Sequence, residues 1–308
     1  MKKIAFLFPG QGAQYPGMGG EFVEQFAVAR RCFEEADDVL ERSLSEVVLK
    51  GSEEDLKRTV NSQCGIFTAS MALLRVFEQE FPELKPQVAA GLSLGEYSAL
   101  CAMGWVPFAD ALKLVERRAA LMEADCEEFP GGMAAVVGMG QEGIEKMLQA
   151  LAMPDDLWAA NFLSPVQVTL AGTKKGIEVL LERGKSFGAK RVIPLAVQGA
   201  FHSGLMRRAA ERLSPAIEQA PFVTGKTVVS NVSAEHFVDC ADVKRRLVEQ
   251  VCHPVYWEKG VRKMEAEAFI EIGPGRVLAG MNRKIGVTAP TFNLEMVADL
   301  EQITKELA

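Results

Sequence analysis

The string Gly91-Leu92-Ser93-Leu94-Gly95 sets a serine between two glycines. It follows the short apolar segment Gln87–Ala90 and precedes a run that reads as a helix, Glu96–Met103. In a strand–turn–helix context this spacing makes a nucleophile elbow: the glycines let the chain turn sharply, and the serine Oγ projects from the sheet edge. The N–H of Leu94, at the helix N-terminus, can face a developing oxyanion. A serine needs a base, and the chain holds three histidines. His236, in the polar stretch after Ser233, reads as a surface-loop residue. His253, before Pro254 at a helix end, reads as a partner for helix carbonyls. His202, in Gly199-Ala200-Phe201-His202-Ser203-Gly204, sits in a loop after a strand with small neighbours, so a substrate can approach it. Ser93 and His202 are therefore the expected nucleophile and base, and the chemistry is acyl transfer through a covalent ester. Asp239 and Asp242 lie downstream, but nothing ties either to His202. A backbone carbonyl would orient the imidazole as well, because Nδ1–H only needs an acceptor.

Two further positions matter. Gly10-Gln11-Gly12 fails both the dinucleotide and the P-loop patterns, since residue 15 is tyrosine and no Gly-Lys-Ser/Thr follows. As a loop after the strand Ile4–Phe8 it suits a second oxyanion donor, the N–H of Gln11. Arg118 stands on a helix among Leu114, Val115, Leu121 and Met122. The residues alone favour a surface arginine with a snorkelling stem over a buried guanidinium that binds a carboxylate.

The elements that would position these groups form an α/β chain. Its 308 residues suffice for one large domain or a main domain with a smaller one. With 48% hydrophobic and 24% charged residues it is an ordinary globular composition. A net charge of −7 argues against general nucleic-acid binding. The six cysteines show no metal-like spacing and read as reduced, and no run approaches a membrane span, so a soluble cytoplasmic protein without metal is expected. Helices are predicted over Glu21–Leu40, from about Ile66 to Phe81, over Phe108–Asp125 and Ala241–Cys252, and from Glu295 to Leu307. Strands are predicted at Ile4–Phe8, Thr227–Val232 and Ala268–Ile272. Between them the order strand Met133–Met139, helix Glu142–Leu151, strands Trp158–Leu163 and Val166–Ala171, helix Lys174–Phe187, strand Arg191–Leu195 is the β-α-β-β-α-β of a ferredoxin-like unit. Residues 131–197 are thus an inserted small subdomain, and 1–130 with 198–308 the large catalytic one.

The chain resembles the malonyl-CoA:acyl carrier protein transacylases of bacterial type II fatty acid synthesis. The resemblance runs through Phe8-Pro9-Gly10-Gln11-Gly12-Ala13-Gln14, Gln63, Gly91 to Leu100, Arg118, Gly199 to Ser203, Ser230-Asn231-Val232 and Glu271 to Gly275. It implies a hydrolase-like parallel-sheet core with the ferredoxin-like insert, and a Ser93–His202 dyad whose imidazole is held by a backbone carbonyl at or near Gln250. It implies an oxyanion hole of Gln11 and Leu94, and Arg118 as the partner of the malonyl carboxylate, which reverses the reading above. Gln63 and Asn231 would line the pocket, and Phe201 would select malonyl over methylmalonyl. The substrates would be malonyl-CoA and acyl carrier protein, with no cofactor beyond the CoA thioester itself. Lys174, Lys175, Lys190, Arg191, Arg207 and Arg208 are candidates for meeting an acidic carrier. Leu92 stands where the family usually has histidine, Leu163 where it has asparagine, Gln198 where serine is common, and Cys64 where proline follows the glutamine. A discrete acyltransferase of a polyketide synthase, or a serine thioesterase or hydrolase, shares the same elbow.

Overall fold

Ile4–Phe8 is buried along its whole length. A continuous apolar strand is what a parallel sheet covered on both faces requires. The computed structural model describes residues 2–307. In chain order its strands are β1 (Ile4–Phe8), β2 (Pro86–Gly91), β3 (Gly131–Val137), β4 (Leu157–Ser164), β5 (Gln167–Thr173), β6 (Arg191–Pro194), β7 (Thr227–Val228), β8 (Ala268–Ile272) and β9 (Thr291–Leu294). Five of them form a parallel sheet in the order β7-β2-β1-β8-β9, with β1 at its centre. Because side chains alternate along a strand, Ile4, Phe6 and Phe8 pack into one apolar layer with the long helix Thr59–Glu80. Ala5 and Leu7 face the other layer, with Trp257, Val261 and Leu278. Phe6 meets Phe77 of the Thr59–Glu80 helix edge-on at 5.2 Å. The register sets Phe8 beside Gly91. The loops after β1, β2, β7 and β8 therefore gather at one sheet edge, where ligands of open α/β sheets bind.

The second sheet is antiparallel, in the order β4-β5-β3-β6, with helices Gln141–Leu151 and Lys174–Arg183 as its connections. That is the ferredoxin-like arrangement expected from the sequence. Its edge is fastened to the rest of the chain by Phe162 N–H to Val255 O and Val255 N–H to Ala160 O, both 2.8 Å. No helix among the described residues is long and apolar enough to cross a membrane, and all six cysteines are free.

Several elements differ from the sequence reading. The helix predicted over Glu21–Leu40 is two, Gly20–Gln25 and Ala27–Leu40, broken where Phe26 is extended and stacks on the buried Phe22 at 5.9 Å. The strand predicted over Thr227–Val232 stops at Val228, and Ser230-Asn231 turns away to serve the serine loop. The helix predicted from Ile66 begins at Thr59, and the C-terminal one begins at Asp299 rather than Glu295. Asp299 uses its carboxylate on the Glu295 and Met296 amides, holding that loop open. Strand β9 and the helix Arg207–Gln219 were not expected. Pro215 argues against that helix, but Asp125 accepts from Ala209 N–H in its first turn, and Ala209, Leu213 and Ile217 are buried.

Candidate active site

The turn after β2 leaves no room for a side chain at either of its glycines. A Cβ on Gly91 would lie 1.8 Å from the Gly95 carbonyl oxygen, and one on Gly95 would lie 2.2 Å from that of Phe8. Between them Ser93 takes a φ of +53°, a strained conformation for a residue with a side chain. Two distant amides hold it there. Asn231 Oδ1 accepts from Ser93 N–H at 2.7 Å, and Gln250 Nε2 donates to Ser93 O at 2.8 Å. The raised serine Oγ lies 2.7 Å from His202 Nε2.

His202 Nδ1 lies 2.7 Å from the carbonyl oxygen of Gln250. A carbonyl can only accept, so Nδ1 carries the proton and the Nε2 lone pair faces the serine. Gln250 is the last residue of the helix Cys240–Gln250, where carbonyls lack helical partners. The residue four places on is Pro254, which has no N–H to give. The sequence thus frees this carbonyl for the imidazole, at the negative end of a helix that favours a transient imidazolium. Neither candidate aspartate joins in: Asp239 caps the start of that helix through Asp242 N–H, and Asp242 pairs with Arg245 and Arg246. His202 is buried, and burial pushes its imidazole down to about 4, with the Arg118 charge adding to the effect against hydrogen bonds to the Gln250 and His253 backbone. His236 and His253 are exposed, and His253 Nδ1 contacts the Glu249 carbonyl at 2.8 Å, as read from sequence.

The N–H groups of Gln11 and Leu94 donate to none of the described residues. Their loops are pressed together, since Leu92 N–H bonds Phe8 O at 3.0 Å and a Cβ on Gly10 would lie 2.3 Å from the Leu92 carbonyl oxygen. Two free amides beside a serine Oγ can hold an oxyanion.

Arg118 is buried, 1% exposed, which corrects the surface reading. Leu114, Val115, Leu121 and Met122 are buried on the same helix three and four residues away, so its position is on the inner face. Its guanidinium donates to Gln63 Oε1 at 2.7 Å, to Ser93 Oγ at 3.0 Å and to Gln250 Oε1 at 2.8 Å, while Nε–H has no partner among the described residues. It lies 5.7 Å from the Tyr97 ring. Gln63 Nε2 in turn reaches Gln11 Oε1 at 3.3 Å.

A cavity of about 210 Å³ opens beside Ser93 and His202. Gln11, Met122 and Phe201 line it near the serine, Asn161 and Leu163 come from β4, and Met281 from the helix Val277–Ile285. Glu271 fixes that helix by accepting from the N–H groups of Leu278 and Ala279 at 2.9 and 2.8 Å. A larger depression, about 560 Å³ around Lys3, Arg262 and Glu267, brings no nucleophile and base together. No three His, Cys, Asp or Glu side chains among the described residues could hold a metal.

An acyl transferase domain model matches residues 5–289. The chain is 43% identical over 308 residues to the malonyl CoA-acyl carrier protein transacylase of Bacillus subtilis, covering 98% of this chain and 96% of that one. The chain belongs to the malonyl CoA-acyl carrier protein transacylase family. Among solved structures, the transacylase of Streptococcus pneumoniae is 36% identical with a TM-score of 0.93, over 99% of this chain and 100% of that one. A type II polyketide synthase acyl carrier protein in complex with its malonyl transacylase provides another, 36% identical with a TM-score of 0.94, over 98% of this chain and 99% of that one.

In this transacylase, Ser93, His202, Gln11 and Phe201 meet at the cavity, Leu94 follows the serine in the same loop, Arg118 reaches Ser93 Oγ and Gln63 reaches Gln11 Oε1. Asn231, expected to line the pocket, instead holds the serine loop from behind, donating to Gly91 O at 2.7 Å as well as accepting from Ser93. Sequence reasoning missed Glu96 and the side chain of Gln250, which complete this support. A signal was present for Glu96: it is the one charged residue in the otherwise uncharged run Gly95–Met103.

Proposed function

We propose that this transacylase moves a malonyl group from malonyl-CoA to the pantetheine thiol of an acyl carrier protein through an ester on Ser93. One oxygen carries the reading: Ser93 Oγ lies 2.7 Å from a neutral imidazole and 3.0 Å from a buried guanidinium. His202 takes the serine proton as Oγ attacks the thioester carbonyl, and the oxyanion is held by the Gln11 and Leu94 amides, each worth about 3–4 kcal/mol of the barrier. The C–S bond breaks and His202 protonates the departing CoA thiolate. The carrier thiol then enters, gives its proton to His202 and takes the malonyl group, returning Ser93 to its hydroxyl form. Thioester is exchanged for thioester, so the reaction runs readily in both directions. Arg118 binds the malonyl carboxylate, offering its unpartnered Nε–H and exchanging its bond to Ser93 for one to the substrate. Phe201 and Met122 limit the room around the acyl group. The reading assigns no cofactor, and a cytoplasmic site of action in which the free cysteines stay reduced.

The carrier would dock on basic residues. Lys190, Arg191, Lys174 and Arg207 are exposed and make no ion pair with a described residue, whereas Lys175 pairs with Asp156 and Arg208 with Glu128. A polyketide synthase carrier is the second reading, favoured by the likeness to the solved polyketide synthase pair; rates with carriers of both kinds separate the two. Intact mass after mixing with malonyl-CoA tests the main reading. The parent chain gains one malonyl group and Ser93→Ala gains none; an adduct on Ser93→Ala would overturn the assignment of the nucleophile.

A further inference from the structure

Glu96 follows the nucleophile by three residues, in the first turn of the helix Gly95–Ala102, and has no solvent exposure. It has no ion-pair partner among the described residues within 4.0 Å. Removing a carboxylate from water is costly unless hydrogen bonds replace the water. Here one bond arrives at each oxygen. Oε1 accepts from the Asn231 backbone N–H at 2.7 Å, and Oε2 accepts from Gln250 Nε2 at 2.5 Å. Both oxygens accept, which is the pattern of the ionised form, the one that prevails above about pH 7. Burial pushes the carboxyl up to about 7, and the same two donors, with Arg118 and Arg246, work against that rise.

The two donors belong to the two residues that hold Ser93. Asn231 accepts the Ser93 N–H, and Gln250 donates to the Ser93 carbonyl. Glu96 also decides which way the Gln250 amide faces. Only the NH₂ end can meet a carboxylate and a carbonyl together, so Oε1 is left for Arg118, 2.8 Å away. The main-chain carbonyl of the same residue meets His202. One buried carboxylate thus stands behind the nucleophile and the guanidinium, through a residue that also orients the base.

We propose that Glu96 is a positioning residue of this transacylase: its carboxylate fixes the orientation of the Gln250 amide and thereby places Arg118 and Ser93, so that selectivity for malonyl depends on a group that touches no substrate. The proposal rests on the malonyl reading above. Glu96→Gln keeps the shape and leaves a single acceptor. The Asn231 N–H cannot turn away, so the new amide gives it the oxygen and points NH₂ at Gln250. Gln250 then flips, and its own NH₂ meets the Arg118 guanidinium, donor against donor.

The test is a double-mutant cycle of Glu96→Gln and Gln250→Ala, read as kcat and KM for malonyl-CoA and acetyl-CoA. Gln250→Ala retains the carbonyl that meets His202. Glu96→Gln is expected to lower the malonyl-to-acetyl ratio of kcat/KM on the order of 10- to 100-fold, the size of one hydrogen bond to a charged group, with KM for malonyl-CoA rising. In the Gln250→Ala background the same substitution should change the ratio less than threefold, because the amide it acts through is gone. An equal loss for both substrates, or an undiminished effect without the Gln250 side chain, overturns the proposal. Should Glu96→Gln fail to fold, Gln250→Met deletes the same amide; an unchanged ratio there also overturns it. Absence of a malonyl adduct on the parent chain would remove the malonyl reading itself, whereas an adduct with an unmoved ratio removes only the role of Glu96.

Discussion

Replacing Arg118 by alanine probes the acyl specificity most directly. The guanidinium is fully enclosed and bonded to Gln63, Ser93 and Gln250. Its removal leaves a malonyl carboxylate entering a buried site with no cation. Truncating one partner of such a pair costs about 2–5 kcal/mol, which is roughly 30- to 5,000-fold in kcat/KM for malonyl-CoA. Acetyl-CoA carries no carboxylate and escapes this cost; it also meets a serine oxygen no longer engaged by Arg118. Initial transfer rates for both CoA esters to one carrier protein, with rapid-quench intact mass for the first half-reaction, measure the difference. Arg118→Lys should fall between parent and alanine variant, since a single ammonium keeps the charge but cannot span three acceptors in a fixed fork. If malonyl and acetyl transfer fall by the same factor, the carboxylate is bound elsewhere and the reasoning fails.

Other outcomes follow from the same geometry. Gly91→Ala would place a methyl group 1.8 Å from the Gly95 carbonyl oxygen, so it should lower stability by at least about 3 kcal/mol or abolish soluble expression; a melting temperature equal to the parent's would contradict the tight elbow. The two buried titrating groups have opposite linkage. His202 is pushed from 6.5 down to about 4, so the unfolded chain holds the extra proton between these values and stability falls as pH drops through them. Glu96 is pushed from 4.5 up to about 7, so the folded chain holds the proton and stability falls as pH rises through that range. Each swing is on the order of 3 kcal/mol. Relative to the parent, urea midpoints of His202→Asn should therefore fall between pH 5 and 6.5 and those of Glu96→Gln should rise; slopes of one sign would count against the burial argument. Reversing charge at Lys190 and Arg191 should raise KM for the carrier protein several-fold while leaving the rate of malonyl-enzyme formation unchanged. An unaltered KM would remove them from the docking surface.

The serine loop was legible because its requirement is local: two glycines, a strand before and a helix after, all between Pro86 and Ala102. The β-α-β-β-α-β order of the insert was legible for the same reason. Arg118 was misread from composition although its spacing from Leu114, Val115, Leu121 and Met122 put it on the inner face; a charge on an apolar helix face is a buried charge when both its i±3 and i±4 neighbours are buried. The roles of Glu96, Asn231 and the Gln250 side chain are of another kind. Their bonds to one another and to Ser93 join residues 135 to 157 positions apart, and no local pattern encodes them. The break at Phe26 and the early end of β7 are likewise tertiary: one seats Phe22 in the core, the other releases Asn231 to reach the elbow.

The Ser93 turn therefore depends on partners made much later by the ribosome. His202 follows it by 109 residues, Asn231 by 138 and Gln250 by 157. While the first 201 residues emerge, Ser93 lacks the His202 imidazole, the Gln250 amide that donates to its carbonyl and the Asn231 oxygen that accepts from its N–H. The support of Ser93 is complete only when the helix Cys240–Gln250 has been made and docked. Because those contacts close long loops, they belong with the late and slow events of folding. Recovery of activity after denaturation should then lag recovery of helical signal, and the lag would time the arrival of one helix end rather than the formation of either sheet.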